Sequence, residues 1–299
     1  MKKRIVTGFF ILLGVVGFLL LKQFSNLFFD ALILVIMYGS LYEVGKVYKT
    51  DGKEIDYLIY LLPAIFCLIF NLQSNTFVAV GYVILIVLLY AFYLLSAEIV
   101  EYGLKRKNDT DEKNVEVLNK TLFDKTKSSM MVCAYPVVML TFLFALNHIE
   151  YNASYMGLIF AFACAMTTDS LALVFGKMLG KKKFIPEVSP NKTIAGVFGG
   201  FFGGIMAAII CLICFVYFPH FSETVMDAKE VYILIFSALG ILGALADQLG
   251  DLIASALKRK VGVKDYGHIF PGHGGLMDRV DGLMFTVAIT YICFALFLL

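Results

Sequence analysis

Asp247, Asp251 and Ser255 recur at four-residue intervals in an otherwise apolar stretch, and Lys258 and Arg259 follow directly. On a helix this spacing stacks the three polar side chains on one face, one turn apart, with the cations just beyond. Carboxylates repeated along an apolar helix are costly to desolvate, so such a stripe is expected to face protein or a polar cavity. Residues 263–281 then gather Lys264, Asp265, Gly267, the run Pro271-Gly272-His273-Gly274-Gly275, and Asp278, Arg279 and Asp281. Glycines at 272, 274 and 275 let the backbone approach an anion closely or take a positive φ. Hard divalent cations take carboxylate oxygen, and phosphates take Lys, Arg and the cation together, so these residue types suit metal-assisted phosphoryl or nucleotidyl transfer. His273 could contact phosphate or shuttle a proton, or simply stabilise the turn as a donor. The plain structural alternatives are an Asp251–Lys258 pair, and Asp278 and Asp281 as charges at the start of the last helix. Neither histidines nor thiols cluster here, which argues against a soft metal.

A second block lies upstream. Asp169 ends Met166-Thr-Thr-Asp169 inside an apolar run and raises the same question in another helix, with a lysine partner within the bundle as the structural alternative. Lys181, Lys182 and Lys183 could anchor helices to anionic headgroups. Ser189, Lys192 and Thr193 sit in a proline-bounded loop just before a helix N-terminus, a position suited to phosphate. Gly196, Gly200 and Gly204 line one helical face, for which close helix packing is sufficient explanation. They form neither a Walker A nor a dinucleotide loop.

The elements that must position these residues follow from composition. The chain has 299 residues, 60% hydrophobic and 16% charged, with a mean hydropathy of +0.83, well beyond a soluble domain. Its apolar residues come in blocks long enough to cross about 30 Å of hydrocarbon as helix, and runs such as Phe77–Ala97 are apolar on every face, unlike barrel strands. The expected fold is an all-α, polytopic transmembrane helical bundle of about nine spans, near residues 5–21, 27–45, 56–72, 77–99, 129–147, 156–176, 194–218, 230–250 and 282–299. The first is expected to be retained, since no small-residue cleavage site follows it. With the N-terminus inside, all of the 25 basic residues except Lys22 and Lys229 fall on the cytoplasmic side. The protein is thus expected in the cell membrane, multi-pass, with its active site facing the cytoplasm. The polar loop Glu101–Ser128 suggests a hinge between an N-terminal scaffold, 1–128, and a catalytic part, 129–299, because the first four spans read as almost free of charge. The six cysteines all lie in apolar runs and read as small hydrophobes. Cys211 and Cys214 lack the second ligand pair of a zinc site. Each lysine run abuts a membrane segment, so nucleic acid is not an expected partner.

With those residues in view, the chain resembles the phosphatidate cytidylyltransferase family, the membrane enzymes that make CDP-diacylglycerol. The C-terminal signature matches at Ser255, Lys258-Arg259, Lys264-Asp265, Gly267, Pro271-Gly-His-Gly-Gly275, Asp278-Arg279 and Asp281. The upstream block matches at Thr168-Asp169-Ser170, Gly176, Gly180, Pro186, Ser189-Pro190, Lys192-Thr193 and Gly196. The match covers residues 165–282, and the chain departs from the family pattern at Ala195, Ala254, Tyr266 and Gly282. The resemblance implies CTP and phosphatidic acid as substrates, pyrophosphate as leaving group, Mg2+ with room for a second cation, and a homodimer. It implies Asp251 and Asp278 as metal ligands. The candidate catalytic set is Asp251, Asp278, Lys258, Arg259, Lys264, Asp265, His273, Arg279 and Asp281, and the candidate cofactor-binding set is Asp169, Ser189, Lys192, Thr193 and Ser255. The alternatives are a nucleotidyltransferase acting on another lipid phosphate, and an ion-coupled secondary transporter using Asp169, Asp247 and Asp251 as a relay.

Overall fold

In hydrocarbon every backbone amide must be satisfied within its own segment, so the apolar blocks fold as helices. The computed structural model describes residues 2–108, 112–121, 123–227, 229–270 and 274–297. The helices are α1 (Lys2–Leu21), α2 (Asn26–Thr50), α3 (Leu62–Leu72), α4 (Thr76–Asn108), α5 (Glu112–Thr121), α6 (Asp124–Val132) and α7 (Met139–Asn147). They continue with α8 (Tyr151–Leu179), α9 (Ile194–Tyr217), α10 (Pro219–Asp227), α11 (Lys229–Lys260), α12 (Met277–Val280) and α13 (Leu283–Phe297). Between α6 and α7 the helix widens into a π-helical turn, Cys133–Val138, around Pro136, which has no N–H to give.

Among the described residues six helical segments are long and apolar enough to cross a membrane: Asn26–Thr50, Thr76–Lys107, Asp124–Asn147, Asn152–Leu179, Ile194–Tyr217 and Lys229–Lys260. Three shorter apolar helices are Phe10–Leu21, Tyr57–Leu72 and Leu283–Phe297. The protein is an all-α, multi-pass membrane bundle. Large apolar side chains point outward, among them Phe92, Phe198 and Leu88, as expected where lipid is the solvent.

Two expectations about loops change. Residues 101–128, read as a polar hinge, are largely helical: α4 runs on to Asn108, and α5 and the start of α6 occupy much of the rest. Residues 109–111 and 122 of this stretch lie outside the described residues. Residues 189–193, read as a loop, form β2 (Ser189–Thr193), paired antiparallel with β1 (Lys183–Ile185). Pro190 is tolerated because a two-stranded hairpin has open edges where a missing donor costs nothing.

The helices packed around the candidate residues are α8, α9, α11 and α13, with Lys192 on β2 and Asp278 on α12. Helix α9 lies against both α8 and α11 through its small residues. A Cβ at Gly203 would meet the Thr167 carbonyl of α8 at 2.6 Å, and one at Gly204 would meet Ala244 Cβ of α11 at 2.6 Å. Thr167 Oγ1 also donates to the Gly203 carbonyl, 3.1 Å away. Rings of Phe160, Phe236 and Phe294 pack edge to face and join α8, α11 and α13.

The N-terminal half is less bare of charge than its hydropathy implied. Asp30 and Glu43 of α2 are both buried, 1% and 3% exposed. Asp30 lies in a polar network at the start of α2: Asn71 Nδ2 and Asn147 Nδ2 donate to its carboxylate at 2.8 Å each, and His148 Nε2 lies 3.0 Å away. The buried Lys22 donates to Asn26 Oδ1 at 2.7 Å and to the Asn147 carbonyl at 2.9 Å.

Candidate active site

The stripe on α11 is built as its spacing predicts. Asp247 is buried against Gly282, where a Cβ would run into its carboxylate, so the glycine at this departure position makes room for it. One turn on, Asp251 Oδ2 lies 2.8 Å from Lys192 Nζ, and Ser255 Oγ lies 3.5 Å from Asp251 Oδ1. Lys192 Nζ also donates to the Gln248 carbonyl at 3.2 Å. The hairpin is therefore docked on α11 through Lys192, while its neighbour Thr193 caps α9 by accepting from Gly196 N at 3.1 Å.

Lys258 does not pair with Asp251, two turns back on the same helix. Its Nζ lies 2.8 Å from Asp278 Oδ1 and 3.7 Å from Asp281 Oδ2, and 5.5 Å from the Tyr266 ring centroid. Asp278 spends its second oxygen on the backbone, accepting from Tyr266 N and Gly275 N at 3.0 Å each. Gly274 turns the chain with φ +84°, a conformation that favours glycine, and its carbonyl accepts from Phe270 N at 2.9 Å. Burial, with Asp251 next, lifts the Asp281 carboxyl up to about 7; Asp169 and Asp278 push the same way and Lys258 opposes them. Burial likewise raises the Tyr266 phenol.

The structure brings the candidate residues into two adjoining groups. Asp251, Lys192 and Ser255 form one, and Lys258, Asp278 and Asp281 the other. Asp169 is exposed on α8, yet near enough for its charge to raise Asp281. Arg259, Lys264, Asp265 and Arg279 are exposed, and Arg259 Nη1 donates to the Val263 carbonyl at 3.4 Å. Ser189 is half-buried at the start of β2. His273 lies outside the described residues. A cavity of about 280 Å³ elsewhere is lined by Lys53, Glu98, Lys105 and Lys125 among others and shares no residue with either group.

Glu43 was missed by the sequence reading. Its carboxylate accepts from Leu276 N at 3.0 Å and Met277 N at 2.8 Å, directly beside Asp278. The available signal was a carboxylate, one of two with Asp30, inside the apolar block of the second span, which is costly there unless something occupies it.

Among the described residues no three metal-ligating side chains converge as a ready cage. The donors present are nevertheless all hard carboxylate oxygens, with Asp251, Asp169 and Asp278 close enough to the half-buried Asp281 to raise its carboxyl against the opposing Lys258. Mg2+ is commonly held by one or two carboxylates, with water and substrate phosphate filling the other positions. By donor chemistry the site fits that ion, with Asp251 and Asp278 as the residues that could hold it.

A family model described as the Cytidylyltransferase family matches residues 2–297. A Staphylococcus aureus (strain COL) protein named phosphatidate cytidylyltransferase is 37% identical over 174 residues, which is 57% of this chain and 62% of that protein. A Staphylococcus epidermidis protein of the same name is 36% identical over 175 residues, again 62% of its length. The Bacillus subtilis (strain 168) protein of that name is 32% identical over 301 residues, covering 99% of this chain and 98% of the relative. The match to the staphylococcal proteins thus spans less than two thirds of their length, whereas the Bacillus match runs end to end.

Proposed function

The chain belongs to the cytidylyltransferase family, and from that premise we propose that it transfers a cytidylyl group from CTP to phosphatidic acid, giving CDP-diacylglycerol and pyrophosphate. The observation that carries this reading is the meeting of two cation–carboxylate pairs, Lys192 with Asp251 and Lys258 with Asp278, beside the half-buried Asp281.

A phosphatidate oxygen is already anionic, so the reaction needs alignment and charge neutralisation more than an activated nucleophile. That oxygen bonds to the α-phosphorus of CTP. The bond from that phosphorus to the bridging oxygen breaks, and pyrophosphate departs with the electron pair. Lys192 and Lys258 are already oriented by carboxylates, and each can exchange one carboxylate contact for a phosphate oxygen. Arg259, Lys264 and Arg279 are accessible to the departing pyrophosphate. Mg2+, held by Asp251 and Asp278 when bound, would supply further neutralisation of the phosphate oxygens.

In this reading the chain crosses the membrane nine times, with its N-terminus and site on the cytoplasmic side. Six long and three shorter apolar helices support the count, and the one-sided distribution of lysine and arginine supports the orientation. Residues 129–299 carry the signature residues of 165–282 and form the catalytic part on 1–128 as scaffold, although Glu43 of α2 reaches across this division to Leu276 N and Met277 N.

The test is direct. Purified protein given phosphatidic acid, radiolabelled CTP and Mg2+ should yield lipid-extractable label and pyrophosphate in equal amounts. Folded, monodisperse protein that yields neither sinks the reading. Replacing CTP with other nucleotides, and phosphatidic acid with other lipid phosphates, identifies the preferred pair.

A further inference from the structure

Glu43 has no use in the chemistry just described, yet it touches the loop that carries the chemistry. It lies 3% exposed on α2, and burying a carboxylate among apolar side chains is costly unless it is hydrogen-bonded. Its bonds go to two successive amides, Leu276 N and Met277 N, 233 and 234 positions away. The loop closes on it from both sides: a Cβ at Gly267 or at Gly275 would run into the Glu43 carboxylate. One turn earlier on α2, the Leu276 side chain fills the place where a Cβ at Gly39 would stand.

The same stretch of backbone holds Asp278. Gly275 N and Tyr266 N, each next to a residue that touches Glu43, donate to Asp278 Oδ2 at 3.0 Å, and Asp278 Oδ1 holds Lys258 at 2.8 Å. Glu43 and Asp278 therefore grip the loop together, and the position of Lys258 depends on that grip. We propose that Glu43 is a positioning residue for the transfer reaction: through the amides of Leu276 and Met277 it fixes the backbone that sets the Asp278 carboxylate and, through it, the Lys258 ammonium. On this account α2, in the N-terminal half, belongs to the catalytic unit. Two of the glycines that the family signature contains, Gly267 and Gly275, are small because the Glu43 carboxylate occupies the space beside them. The inference rests on the cytidylyl-transfer reading for its kinetic readout and on geometry alone for its structural one.

The test uses the full chain in detergent with two variants. Glu43→Gln keeps the size but turns one acceptor oxygen into an N–H donor facing another N–H. Gly267→Ala presses a methyl group against the same carboxylate. Three quantities are read: melting temperature, hydrogen exchange of the segment 274–283, and turnover per folded molecule.

For Glu43→Gln the expected result is exchange at least about tenfold faster in 274–283 with little change in α8 and α9, and kcat lower by about 10²-fold, the scale of a misplacement near 1 Å. Gly267→Ala should move both quantities in the same direction. A purely structural contact would lower the melting temperature and leave kcat per folded molecule unchanged, and that result overturns the proposal. Unchanged exchange in 274–283 overturns it as well. If Glu43→Gln gives no folded protein, Gly267→Ala decides by the same two readouts. If the wild type forms no cytidine lipid with any lipid phosphate, the transfer reading fails. The exchange arm then still tests whether Glu43 holds the loop, so the two failures stay distinct.

Discussion

Asp281 sits where the surroundings disfavour its charge. Burial first and Asp251 second lift its carboxyl up to about 7 against an ordinary value of 3.8, and Lys258 at 3.7 Å opposes them incompletely. Between those two values the folded protein binds more protons at this site than the unfolded chain does. Its contribution to stability therefore falls as pH rises through that window and stays unfavourable above it. With EDTA present to remove divalent ions, Asp281→Asn should melt at a higher temperature than wild type at pH 8, and the advantage should shrink by pH 5. A paired series of melts in detergent measures it; an equal difference at both pH values would remove Asp281 as the source. At this scale the sequence revealed residue types better than partners. Asp251, Lys258, Asp278 and Lys192 were recognisable from spacing and from the family signature. Their pairing was not, because Asp251 meets a lysine from β2 and Lys258 a carboxylate from beyond the loop, contacts that no helical period encodes. Glu43 stayed hidden for the same reason: its partners are backbone amides 233 and 234 residues away.

At the scale of elements, α9 is a wedge packed closely against both α8 and α11. Its glycines are spaced for helix contact and the structure uses them so: beyond the Gly203 position stand the Thr167 carbonyl at 2.6 Å and Thr168 Cα at 3.0 Å. Gly203→Leu should cost at least about 1–3 kcal/mol, the range for forcing extra volume into a packed interface, while Phe198→Leu, at a position 67% exposed on the same helix, should leave the melting temperature nearly unchanged. Detergent melts of the two variants side by side check this, and equal tolerance at both positions would refute the wedge. The long helices were legible because an apolar block of the right length has one stable form in lipid. The hairpin was not, since three- and five-residue strands rich in lysine and proline resemble a loop until the Lys183–Thr193 pairing is seen.

For the molecule as a whole, the orientation proposed above makes a checkable statement about labelling. Lys182→Cys, at an exposed position beside β1, and Ser74→Cys, in the exposed turn before α4, are each introduced into a chain lacking native thiols. An impermeant maleimide should label Ser74→Cys in intact cells and reach Lys182→Cys after permeabilisation. The reverse pattern would invert the topology and separate the site from cytosolic nucleotide. Lys22, one of the two basic residues that the orientation leaves outside, is buried with Asn26 and the Asn147 carbonyl. It is spent inside the bundle and does not weigh as a loop charge. The bond between Glu43 and Leu276 also sets an order of events during synthesis. The two residues are 233 positions apart, so at roughly 5–20 residues per second Leu276 emerges on the order of ten seconds to a minute after Glu43. Through that interval α2 carries a carboxylate whose amides have not yet been made. The nascent chain can enter the membrane early, but its site stays unlatched until Leu276 and Met277 have been made.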